Sequence, residues 1–150
     1  MLVLALAGAA HAGPVHARGL VGLGFPELFH AEVGWQAAPR LSIEVHYGWI
    51  IFNHMVGPSV TGWLLGEARP DLPPRHALLV TGQVLVNPLA IGDGVASHAD
   101  VLASAIGTPL GYGYTADSGF QFIVRAGPFY YLDNGFAVGA NLHLGVGWTF

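Results

Sequence analysis

The chain has 150 residues, of which 53% are hydrophobic and only 9% are charged, with a formal net charge of −4 and no lysine. Soluble domains carry roughly 25% charged residues, so this chain is poorly suited to an aqueous surface, and the missing basic patch argues against nucleic-acid binding. No run of about 20 apolar residues occurs beyond the N-terminus, so membrane-spanning helices are not expected either.

In chain order, the first element is MLVLALAGAAHAGP, an apolar core over residues 2–10 followed by the small-x-small triplet Ala10-His11-Ala12. It predicts an export signal over residues 1–12 and a mature chain over 13–150. No Lys or Arg precedes the core, so the basic n-region of such a signal is incomplete. The alternative is a buried N-terminal helix or strand. Cysteine is absent, which leaves the redox compartment open.

Gly, Pro, Asp and Asn clusters divide the remainder into eight predicted strands, near 17–25, 28–36, 41–50, 56–65, 76–87, 108–116, 120–131 and 136–150. Most match the about 9–11 residues of a tilted strand crossing a bilayer. Short turns at 37–40 and 117–119 and a Pro-rich one at 67–75 fall on one side. Connections at 25–28, 51–59, 87–109 and 132–135 fall on the other. With both termini periplasmic, 51–59 and 87–109 become external loops, and Arg18, Arg40, Arg69 and Arg75 gather at the periplasmic rim. Ser97 and Asp100 form a helix N-cap pattern inside the longest loop. Asp133-Asn134-Gly135 suits a three-residue hairpin, which sets Leu132 opposite Phe136 and Arg125 opposite His143.

The strands alternate with period two. Phe29, Ala31, Val33 and Trp35 oppose His30, Glu32, Gly34 and Gln36; Leu41, Ile43, Val45, Tyr47 and Trp49 oppose Ser42, Glu44, His46 and Gly48. The last strand sets Leu142, Leu144, Val146, Trp148 and Phe150 against Asn141, His143, Gly145, Gly147 and Thr149. In the fourth strand Ser59 and Thr61 mark the polar face; Trp63 shares their parity and conflicts with it unless a bulge intervenes. An eight-stranded lumen holds only closely fitting side chains, so the glycine-rich polar face belongs inside and the apolar face outside. Trp35, Phe120, Trp148 and Phe150 near one end, and Phe25, Phe29, Tyr47, Trp49, Tyr130 and Phe136 near the other, then form two interfacial girdles. The expected fold is all-β: an eight-stranded antiparallel up-and-down transmembrane β-barrel.

The closing segment NLHLGVGWTF, with His143, Gly145, Trp148 and Phe150 at its key positions, resembles the C-terminal assembly signal of Gram-negative outer-membrane β-barrel proteins. At the level of architecture the chain is similar to the small eight-stranded class, the OmpX type and the OmpA membrane domain. The resemblance implies insertion by the barrel assembly machinery, residence in the outer membrane, contact with its lipids and lipopolysaccharide, and a monomer.

The inward ionisable residues are His30, Glu32, Glu44, His46, Arg125 and His143. Charges in a narrow lumen need partners. Arg125, read as the one strand-borne arginine, is the expected counter-ion for Glu32 or Glu44; a register that sets Glu32 opposite His46 avoids the alternative one that sets it against Glu44. The favoured function is a plugged barrel with a structural or surface-interaction role carried by its external loops. A gated proton or ion path is the other reading of the same residues. No H-E-x-x-H spacing joins the histidines, so no metal or cofactor is expected. A lipid A deacylase-like hydrolase would use His54 and Ser59, whose separation puts them on opposite faces of a regular strand, so an enzyme is the less favoured reading. A soluble lipocalin-like carrier is the third.

Overall fold

The computed structural model describes residues 16–50, 53–88, 104–132 and 137–150. The export signal, the Ser97 cap, most of the 87–109 loop, and Asp133-Asn134-Gly135 with Phe136 lie outside the described residues. The strands are β1 (His16–Phe25), β2 (Phe29–Ala38), β3 (Leu41–Ile50), β4 (Asn53–Trp63), β5 (His76–Val86), β6 (Ser104–Gly107), β7 (Leu110–Thr115), β8 (Phe120–Tyr131) and β9 (Ala137–Thr149).

Sequential strands pair antiparallel, and β9 returns to pair with β1, so the sheet closes. Both β6 and β7 lie between β5 and β8, and the register of β6 continues into β7 without a slip. They are two halves of one strand. The break falls at Pro109, which has no N–H to donate. Its carbonyl still accepts from the Thr81 N–H at 2.9 Å, and the Thr108 N–H reaches the Pro128 carbonyl at 3.3 Å. The molecule is therefore a closed eight-stranded antiparallel barrel.

Two boundaries differ from expectation. The sixth strand begins at Ser104 rather than 108. The 51–59 segment is mostly strand and not loop, because β4 starts at Asn53. His54, Val56 and Pro58 simply extend the alternation back from Val60. Pro58 is tolerated because the β4–β5 pairs lapse between Val56 and Ser59, where it has no donor to offer.

The registers fix the size of the tube. A path perpendicular to the strands runs from His16 through Gln36, Ser42, Thr61, Thr81, Pro109, Gly127 and Asn141, and meets the line of β1 one residue past its end, at Pro26, a shear of ten residues. With ordinary strand spacing and rise, eight strands at this shear tilt by about 41° around a radius of about 8 Å. Side chains alone fill a lumen that narrow.

Polarity is inverted relative to a water-soluble domain. Among the described residues, nineteen polar or charged side chains are buried against nine hydrophobic ones. Val33, Val45, Leu144, Val146 and Trp148 face outward, whereas Asn141, His143 and Thr149 are buried. Outside, Trp35, Trp148 and Phe150 lie toward the turn end, and Phe25, Phe29, Tyr47 and Trp49 toward the opposite end. Phe29 stacks on Trp49 and Phe120 meets Trp148 edge-on.

No bulge intervenes in β4, and Trp63 stays on the polar, inward face. The β3–β4 and β4–β5 registers run through to it unshifted, and it points inward at 1% exposure. Room comes from glycine on other strands: a Cβ at Gly113 would stand 2.8 Å from the Trp63 ring and 3.3 Å from Leu79. The same rule places Leu20 over Gly145, His30 over Gly22 and His143 over Gly24. Large inward side chains thus lie across glycines of other strands, which is one use of so many glycines. Gly113→Val is expected to overpack this layer and cost about 1–3 kcal/mol, read as a lower urea midpoint of the refolded barrel; an unchanged midpoint would count against the packing described.

Candidate functional site

The interior polar cluster is assembled by strand parity. On β1 the inward series is Arg18, Leu20, Gly22, Gly24; on β2 it is His30, Glu32, Gly34, Gln36; on β3, Ser42, Glu44, His46, Gly48. Arg125 and His143 come from β8 and β9, where they stand opposite each other as the turn spacing predicts, and Glu32 stands opposite His46 and not Glu44.

Two arginine braces cross the lumen. Arg125 grips Glu32 in a two-pronged pair, Nη1 to Oε1 at 2.5 Å and Nη2 to Oε2 at 3.0 Å. Arg18 pairs with Glu44, lies 3.8 Å from Glu32, and donates from Nε to Gln121 at 2.8 Å. Its guanidinium also sits over the Trp63 ring. Arg125 is therefore not the one strand-borne arginine of the interior, and Arg18 is not at the rim. Fully buried ions persist where a partner and hydrogen bonds offset desolvation, and these pairs supply both. Below them Trp63 Nε1 donates to Ser42 Oγ at 2.8 Å, and Ser42 donates to Gln36.

Above the braces lies a layer of three imidazoles. His30 and His143 have ring centroids 4.7 Å apart, and His46 is 5.5 Å from each. Glu27, from the turn between β1 and β2, folds inward over Gly48 and is fully buried. Its carboxylate accepts from His143 Nε2 at 2.6 Å and lies 3.3 Å from His46 Nε2. The other His46 nitrogen is 3.2 Å from Glu32. Burial alone would raise the Glu27 pKa, but the hydrogen bond from His143 and the adjacent His46 imidazole hold it well below the usual carboxylate range. Three glutamates and two arginines leave one negative charge, and a proton on His46, between two carboxylates, balances it.

Sequence reasoning missed Glu27 because it sits in a connection read as an external loop. Its signal was an acid in the otherwise apolar turn FPEL, and the structure sets it over Gly48. Arg18 was missed because glycines on both faces of β1 blur its parity.

The structure does not bring His54 and Ser59 together. Ser59 is inside, its hydroxyl donating to Glu44 at 3.3 Å, and His54 is outside, hydrogen-bonded to the Tyr47 hydroxyl. Among the described residues no His, Cys, Asp or Glu group is arranged to hold a metal; the three imidazoles pack ring against ring. Of the terminal motif, His143 and Gly145 point inward while Trp148 and Phe150 point out.

The turn end is tied by its remaining arginines. Arg40 donates to the carbonyls of Trp63, Leu64 and Gly66, and Arg69 to those of Thr115 and Ala116. Arg75 pairs with Asp117, and that hydrogen bond holds the Asp117 carboxyl below its ordinary value.

Comparison with protein-family models, with curated proteins and with solved structures finds no match.

Proposed function

We propose that the protein is a monomeric outer-membrane β-barrel of a Gram-negative bacterium, with a plugged polar lumen and a structural or surface-interaction role carried by its external loops. The observation that carries this reading is the inversion of polarity: charged side chains inside, large apolar ones outside. In water such an exterior would be a contiguous apolar surface far beyond the few hundred Å² typical of soluble monomers. In acyl chains it is the expected solvent-facing surface. A soluble carrier needs the opposite arrangement. The buried arginine braces support a plug over a pore, since they cross the lumen between β1 and β3 and between β8 and β2. The alternation of the last strand supports handling by the barrel assembly machinery, and the exterior supports contact with outer-membrane lipids and lipopolysaccharide.

Fractionation tests the placement. Full-length protein expressed in a Gram-negative host should sediment with outer membranes, resist carbonate extraction and require detergent for release. Recovery in a detergent-free periplasmic or cytosolic extract would overturn it. The plug is tested separately, by planar-bilayer recording at neutral pH, where steady open steps would refute it.

A further inference from the structure

His30 differs from the other interior ionisable groups. It is buried at 4% exposure, and among the described residues it makes no hydrogen bond to another side chain and its Nδ1 has no partner. It packs against His46 from β3 and His143 from β9, which also touch each other, and lies across Gly22 of β1. The charged groups around it are Glu32 on its own strand, Arg125 from β8, and Glu27 from the turn, which engages both neighbouring imidazoles. Nδ1 of His143 is likewise unpartnered.

Among the described residues, few bonds hold the turn over this layer. The Leu28 N–H donates to the Trp49 carbonyl at 3.0 Å, the Gly24 N–H reaches the Leu28 carbonyl at 3.4 Å, and the Glu27 side chain forms the inward contact. Phe29 and His30 begin β2 directly after it. Lifting residues 26–28 would therefore expose the imidazole layer.

We infer that the β1–β2 turn is an acid-released strap: Glu27 pins it over the three imidazoles, and proton uptake by His30 lifts it. The closed interior is already balanced by one proton on His46. A second proton on His30 would place an imidazolium within 5.5 Å of the first, without an acceptor for Nδ1. That form is favourable only in contact with water. The lifted state consequently binds more protons than the closed one, so its population rises as pH falls through the histidine range. Glu27 stays ionised there and is not the trigger. The arginine braces lie deeper, so the strap moves without opening a pore. The inference goes beyond the proposed function, because the contacts are the same whatever surrounds the barrel.

The test is amide exchange at Leu28 and histidine-ring NMR on the full-length barrel folded in lipid nanodiscs. Normalised to intrinsic exchange, Leu28 protection should fall about tenfold or more between about pH 7.5 and about pH 5, in step with His30 titration. His30→Phe keeps a flat ring without a titrating nitrogen and should abolish most of that fall. Constant protection in the wild type, or the same fall in His30→Phe, overturns the inference. If the variant does not fold, the wild-type spectra decide: a shared midpoint for His30 and Leu28 supports the strap, and separate midpoints or a His30 that never titrates overturn it.

Discussion

Arg125→Met is expected to destabilise the folded barrel by about 3–5 kcal/mol, the cost of leaving a buried carboxylate without its main counter-ion. Glu32 would keep only His46 at 3.2 Å and Arg18 at 3.8 Å, and Arg18 is already committed to Glu44. The double variant Glu32→Leu/Arg125→Met removes both charges together. It should recover most of the loss, since replacing a whole buried pair by apolar groups is often close to neutral. Urea titration of the refolded protein in vesicles, followed by tryptophan fluorescence, measures all three. A single variant as stable as the parent would mean that water reaches Glu32, and the plug would fail with it.

Leu144→Arg carries the second large effect. Leu144 faces outward near mid-height of the barrel, opposite Val124 on β8 and Leu23 on β1. An arginine at the midplane of the lipid face costs about 2–4 kcal/mol, falling to about 0–1 near the interfaces. Leu65→Arg, exposed in the connection after β4, is the shallow control and should stay within that smaller range. On a water-facing surface both substitutions would instead fall within about 0.5 kcal/mol of the parent. Equal small effects at the two positions would remove the bilayer from the account; a steep difference is what a depth-dependent solvent produces.

These two predictions draw on different layers of information. The outward face of β9 is readable from NLHLGVGWTF alone, because a strand with two unlike faces writes its periodicity directly into the chain. The pairing of Arg125 with His143 is nearly as readable, since a short turn fixes the register of neighbours, whereas the alternation of β2 and β3 allowed Glu32 to meet either His46 or Glu44. Strand number followed from the punctuation, with Pro109 hiding four residues of the sixth strand and the alternation before Ser59 passing for a loop.

What the chain alone determined was therefore local: eight strands, their neighbours, and which side of β2, β3, β8 and β9 turns inward. Tertiary structure decided everything that crosses the lumen. Arg18 reaches Glu44 two strands away, Trp63 settles over Gly113 on β7, and Glu27 descends from a turn to meet His143 on β9. Such contacts join strands that share no ladder. They depend on closure and on a ten-residue shear, which together set the height of each side chain, and height is a sum over all eight registers that no single stretch of sequence contains.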